Sequence, residues 1–187
     1  LSATEVEVQF NEPLNASSAG NTSNYAINNG IGNPGSATPD SGNPATVLLN
    51  LSTALTSMQS YELTIDNIND LAGNSSGGQS LTFTFIEAEE AEADDIIISE
   101  IMADPSPPVG LPNAEFVELF NRSDKAIQLD GFGLASGGSP EDLPAYLMLP
   151  GTYLIVTDAS IAPAFSDFGA VIAVNGFPAL TNSGDGI

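Results

Sequence analysis

The side chains best suited to chemistry in this sequence are carboxylates. Glu100, Asp104, Glu115 and Glu118 lie on two strand-like segments separated by a proline-rich stretch. If the two segments pair as a hairpin, these oxygens approach one another, and a hard cation such as Ca²⁺ takes roughly six to eight oxygen ligands. The plainer use of Glu100 and Glu118 is as solvent-facing strand residues, and a one-residue slip in register reverses the face they occupy. A second group, Glu12, Asp66, Asn67, Asn69, Asp70 and Asn74, gathers around Asp70-Leu-Ala-Gly-Asn74. It lacks the spacing of an EF-hand loop. Asp and Asn there have the bland role of closing turns through side-chain to backbone hydrogen bonds.

Other chemistries are excluded by residue type. The 187 residues contain no His, no Cys and no Trp. A Ser-His-Asp triad, a thiolate nucleophile and a His or Cys zinc site are therefore ruled out. Lys and Arg total 2 against 24 Asp and Glu, a formal net charge of -22. Such a chain repels nucleic acid and anionic membranes and cannot clamp phosphate. A glycosidase needs only two carboxylates, but it also needs a pocket with a tuned acid-base pair. Here the Phe and Tyr residues fall at alternating strand positions that read as core. The expectation is no enzyme and no cofactor, with Ca²⁺ as the one candidate.

Positioning such residues is the work of strands. Thr4-Glu-Val-Glu-Val-Gln-Phe-Asn11 alternates, with Val6, Val8 and Phe10 on one face, the mark of a half-buried strand. Ser60–Asp66 repeats the pattern with Tyr61, Leu63 and Ile65, and Leu81–Phe85 with Leu81, Phe83 and Phe85 facing inward. Asn24–Asn28 and Thr46–Leu51 also read as strands, whereas 11–23 and 32–45, the latter with three prolines and three glycines, read as loops. Further strands are expected over Ile96–Met102, Glu115–Phe120, Ala126–Asp130, Gly131–Leu134, Tyr146–Leu149, Tyr153–Val156 and Ala170–Val174, with one helical turn between Asp158 and Phe168. Many short strands with Gly and Pro punctuation indicate β-sandwiches. No stretch approaches the roughly 20 apolar residues of a membrane span.

Between the two strand-rich halves, Glu87–Asp95 holds six carboxylates in nine residues. It has no apolar stripe, so it is expected to be a self-repelling, extended linker. The loop 103–114 carries four prolines, which lower the ordering cost of binding. With Val109 and Leu111 expected to be exposed, it is either a partner-binding loop or a stiff connection. Asn-x-Ser triplets at Asn15, Asn21, Asn50, Asn74 and Asn121 match the glycosylation acceptor pattern and are expected by chance in a chain so rich in Asn and Ser.

Two resemblances cover nearly the whole sequence. Residues 1–86 resemble a bacterial immunoglobulin-like domain of exported and surface proteins, through Val8-Gln-Phe-Asn-Glu-Pro-Leu14, Asn24-Tyr-Ala-Ile27, Tyr61-Glu-Leu-Thr-Ile65 and Asp70-Leu-Ala-Gly-Asn74. The second half resembles the lamin-tail domain, an immunoglobulin-fold module of nuclear lamins and exported bacterial proteins. That likeness rests on Ile98-Ser-Glu-Ile-Met102, Glu115–Asn121, Leu129-Asp-Gly-Phe-Gly-Leu134, Leu149–Val156 and Phe177–Asp185. Phe132 stands where that family usually has Trp. The family also continues past Asn-Ser-Gly-Asp, so the domain is expected to be C-terminally incomplete and the chain to be a piece of a longer protein.

The fold class expected is all-β, two tandem immunoglobulin-like β-sandwiches: 1–86 bacterial Ig-like, 87–95 acidic linker, 96–187 lamin-tail. The resemblances imply a non-catalytic structural or interaction module of an exported or cell-surface bacterial protein. It would bind an unidentified protein or surface partner and sit beside other domains of the same parent chain, without nucleic acid and without membrane insertion. Two alternatives stand beside this reading, a Ca²⁺-binding adhesion module and the accessory domains of an exported hydrolase.

Overall fold

The computed structural model describes residues 2–182. The chain divides into two compact units, Leu1–Glu87 and Ala88–Ile187. Both are built from strands, as two immunoglobulin-like β-sandwiches, and among the described residues no helix is long and apolar enough to cross a membrane.

The first unit contains β1 (Glu5–Gln9), α1 (Ala16–Ala19), β2 (Tyr25–Ile27), β3 (Ser36–Pro39), β4 (Thr46–Asn50), β5 (Ser60–Ile65) and β6 (Gln79–Thr84). They form two antiparallel sheets, β1-β4-β3 and β2-β5-β6. Alternation directs the packing: Val8, Val47 and Leu49 from one sheet meet Tyr25, Ile27, Tyr61, Leu63 and Ile65 from the other, all buried. Each such aliphatic side chain contributes roughly 1.5–3 kcal/mol by leaving water. Val6, Phe10, Phe83 and Phe85 pack on this core only in part, and Leu81, expected to face inward, is 50% exposed. The reason is topological. β1 and β6 are both edge strands, and nothing among the described residues closes the seam between them.

Two expected loops contain structure. Within 11–23, α1 forms a single turn capped by Asn15, whose Oδ1 accepts from Ser17 N and Ser18 N, and a 3-10 turn follows at Thr22–Asn24. Within 32–45, β3 pairs with β4. Its Pro39 ends an edge strand, a position where a missing N–H costs no ladder bond.

The second unit contains β7 (Ile96–Met102), β8 (Phe116–Asn121), β9 (Ile127–Gln128), β10 (Gly133–Leu134), β11 (Glu141–Asp142), β12 (Leu147–Met148), β13 (Tyr153–Asp158) and β14 (Val171–Val174). Its main sheet runs β14-β13-β8-β7, with two short ribbons, β12-β9 and β10-β11. β13 and β14 are parallel and the other pairs antiparallel. One face of the sheet presents Val117, Leu119, Leu154 and Val156 to Ile127, Leu129 and Met148. The other face carries a smaller core in which Phe116 and Ile155 pack on Phe165. Phe165 closes the 3-10 turn Ala162–Phe165, the helical turn expected between 158 and 168. Gly131 adopts φ +88° in the turn closed by Phe132 N donating to Leu129 O, a conformation suited to glycine. Phe132, in place of Trp, packs at the margin of the larger core.

The acidic segment departs from expectation. Residues 88–95 do not form a free linker but belong to the second unit. Glu89 N donates to Ala126 O at 2.8 Å, and Arg122 N donates to Asp95 O at 2.9 Å. Lys125 Nζ reaches Asp95 at 3.0 Å and Glu92 at 3.5 Å. Both bases of the chain lie in the β8–β9 connection. Mutual repulsion favours extension, but here the Lys125 ammonium and the backbone of one loop draw the segment down.

Candidate functional site

The hairpin expected from the sequence exists. β7 pairs antiparallel with β8, and Glu100 stands directly opposite Glu118. A bulge between Ile98 and Glu100 sets this register. In an unbroken ladder Glu100 would fall opposite Val117, on the face of the main core; the extra residue, Ser99, returns it to the outer face. Ser99 Oγ then donates to Glu118 Oε1 at 2.7 Å, which offsets part of the repulsion between facing carboxylates.

The other two members are engaged elsewhere. Glu115 Oε2 accepts from Leu180 N at 3.0 Å, tying the C-terminal segment to the start of β8. Asp104 is exposed and turns back to Ser106 N at 3.4 Å. The expectation of one four-carboxylate site is thus corrected: the hairpin joins Glu100 and Glu118, while Asp104 and Glu115 hold their own loops. Among the described residues no group of three or more acidic side chains could hold a metal ion.

The second group is partly assembled. Glu12, Asp70 and Asn74 line one cleft of about 490 Å³ between Val8–Leu14 and Ser75–Leu81; Asp66 does not. Asp70 is occupied by its turn. Its Oδ1 accepts from Asn74 N at 2.8 Å and its Oδ2 from Asn74 Nδ2 at 2.6 Å, and the Asn74 side chain above all holds its carboxyl below the ordinary value of 3.8. Asp66 Oδ1 accepts from Asn67 N, the left-handed residue that follows it. Asn69 links to the α1 turn, its N donating to Ser18 Oγ and its O accepting from Asn15 N. Both Asp70 oxygens and one of Asp66 are thus engaged within their own turns, and the cleft gathers fewer free oxygens than the roughly six to eight a calcium ion takes.

The proline loop divides likewise. Val109 is 86% exposed, whereas Leu111 packs against the Phe116–Phe165 core, so only part of the loop is available to a partner.

The residues that do most were not singled out by the sequence. Asn121 is fully buried: its Nδ2 donates to Lys125 O at 2.8 Å and to Met148 O at 3.1 Å, and its Oδ1 accepts from Ser123 N and Ser123 Oγ. Asn24 holds the first unit in the same way, donating to Ser18 O and Asn67 O. A signal was present in the Asn-x-Ser triplets. At Asn15, Asn21 and Asn121 the side-chain oxygen accepts from the N–H of the Ser two positions on, the Asx turn. These three triplets are structural punctuation.

The bacterial Ig-like domain model matches residues 1–85. The lamin tail domain model matches residues 89–185. The chain belongs to the lamin tail domain family. Its lamin tail domain follows a bacterial Ig-like domain, and within the matched range lie the strand bearing Asn121 and the turn bearing Gly131. The last block, Phe177–Asp185, runs past the described residues after Asn182. No curated protein matches the chain.

Among solved structures, the N-terminal part of the bacterial S-layer protein SbsC is similar at 20% identity, over 52% of this chain and 24% of that one, with a TM-score of 0.44. Domains 1–6 of SbsC are similar at 13% identity over 84% and 31%, again with a TM-score of 0.44. The chain spans less than a third of the length of either. At these scores the fold assignment rests on the strands and the two family models.

Proposed function

We propose that the chain is a non-catalytic structural and interaction module of a larger exported or cell-surface bacterial protein, one that spaces or presents domains and binds protein or surface partners. The observation that carries this reading is the use made of the polar side chains. Asp70, Asn74, Asn24, Asn121, Glu115 and Asp158 are all engaged in holding turns and loops. Those bonds serve two separate apolar cores. The bacterial Ig-like and lamin tail families supply the context, and neither family description names an enzyme. Antibodies raised against the chain are expected to label intact cells of the source bacterium. Labelling only after lysis would overturn the surface assignment.

A calcium-dependent version of this reading draws on the cleft shared by Glu12, Asp70 and Asn74. It is separated by melting the chain in millimolar calcium and in chelator. An unchanged midpoint is expected. A rise with calcium would favour the adhesion-module alternative, since a ligand bound only by the folded state must stabilise it.

A further inference from the structure

The seam between β1 and β6 opens into an apolar groove of about 500 Å³ in the first unit. Val6, Val8, Leu63, Leu81, Phe83 and Phe85 line it, together with the flanking Glu5 and Glu7. All five consecutive residues of β1 border the groove, so the free edge of that strand, the side not paired with β4, faces it.

Edge strands are blunted by backbone devices such as proline, bulges and shortness, or by charged side chains. Other edges of this chain are treated so: β3 ends in Pro39, β7 carries a bulge, and β2 is three residues long. β1 has no proline and no bulge, and it pairs with β4 in unbroken register over five residues, Glu5 to Gln9. What it has instead is charge of one sign. Glu5 and Glu7 alternate with Val6 and Val8, so they lie on the outer side of the strand while the valines face the core.

We infer that the β1 edge accepts an extended segment of a partner protein in which apolar and cationic residues alternate, added as a further strand of the β1-β4-β3 sheet. Its backbone pairs with β1. Its inward side chains cover Leu81, Phe83 and Phe85, and its outward lysines or arginines stand beside Glu5 and Glu7, where opposite charges on neighbouring strands attract. A second copy of the chain is disfavoured as occupant, because it would bring Glu5 and Glu7 against themselves and a net charge of -22 against the same. This inference rests on the interaction half of the proposed function and names the kind of partner. Its failure would leave the surface-labelling result untouched.

The test uses the whole chain, isotope-labelled, and a short capped peptide alternating valine and lysine. Amide shifts and slowed hydrogen exchange are expected at residues 5–9 and 81–86. Binding should be about tenfold tighter than for a peptide of identical composition with its valines and lysines in separate blocks. The double substitution Glu5→Lys with Glu7→Lys, its fold checked by melting, should transfer the preference to a peptide alternating valine and glutamate. Equal binding of the block peptide would reduce the effect to bulk charge attraction and overturn the inference. So would shifts centred outside the groove, or self-association through residues 5–9 without peptide.

Discussion

The two sandwiches solve the same packing problem with different degrees of closure. The first unit faces two three-stranded sheets across one core and leaves the β1–β6 side open, with Leu81 half exposed. The second buries apolar residues on both faces of its four-stranded sheet, using short ribbons on one side and the Phe165 turn on the other. In each, one buried asparagine ties loops together, but Asn121 carries more than Asn24. It satisfies two carbonyls, one N–H and a hydroxyl and is fully enclosed, while Asn24 is 8% exposed. Asn121 is enclosed where backbone carbonyls of a loop and a strand meet, and buried backbone groups need an internal partner.

This contrast can be broken most sharply at the two asparagines. Asn121→Ala removes the buried bonds to the carbonyls of Lys125 and Met148 and to Ser123, and is expected to cost about 3 kcal/mol. Asn24→Ala should cost about half that. Denaturant titration, with the two unfolding transitions assigned by NMR, should show each loss confined to its own unit. Equal losses would remove the distinction.

A difference at high pH comes next. Tyr25 is fully buried, donates to Ala19 O at 2.8 Å, and burial pushes its hydroxyl up from 10.0 to about 12. Between those values the unfolded chain releases a proton that the folded unit retains. Stability present below pH 10 is therefore lost as pH rises, by up to roughly 1.4 kcal/mol per pH unit. Melts at pH 9 and 11 should show the first unit weakening while Tyr25→Phe flattens that dependence.

Smaller effects concern the acidic segment. Lys125→Met should leave the second core folded and abolish exchange protection at Glu89 and Arg122. Protection that persists would mean that the backbone bonds alone hold residues 88–95. The smallest effect lies at low pH. Asp70, through Asn74, and Asp95, chiefly through the backbone of Glu92 and then Lys125, are held below 3.8. Each contributes stability above that value that disappears as pH falls through its lower folded one. Carboxylate titration followed by NMR should place both below the exposed Asp residues, and Asp70→Asn should remove only the first unit's share.

Much of this was legible in the chain. The alternation at Val6-Val8 and Tyr61-Leu63-Ile65 marks strands that the structure contains, because one-sided burial leaves a period of two; Glu115–Phe120 reads as a strand without that period, and both faces of β8 are buried. Leu81 follows the same alternation yet lies half exposed, since periodicity reports which face is apolar and not whether anything covers it. β3 was hidden by Pro39, a strand breaker everywhere but at an edge. The carboxylates were read as a possible site when their spacing allowed one, but register decides, and the Ser99 bulge that sets it has no signature in sequence. The six acids of 87–95 repel one another locally, but what holds them down, Lys125 and the backbone around Arg122, lies more than 25 residues away in sequence, beyond the reach of local composition.

The parallel pairing of β14 with β13 has a mechanical corollary. β7 and β13 both run antiparallel to β8, so β7, β13 and β14 all point the same way, with β7 and β14 at opposite edges. Tension entering ahead of β7 and leaving beyond β14 therefore pulls on opposite ends of the sheet. It loads the ladders in shear, many hydrogen bonds at once, instead of unzipping them one by one, a useful geometry for a link in a chain under strain.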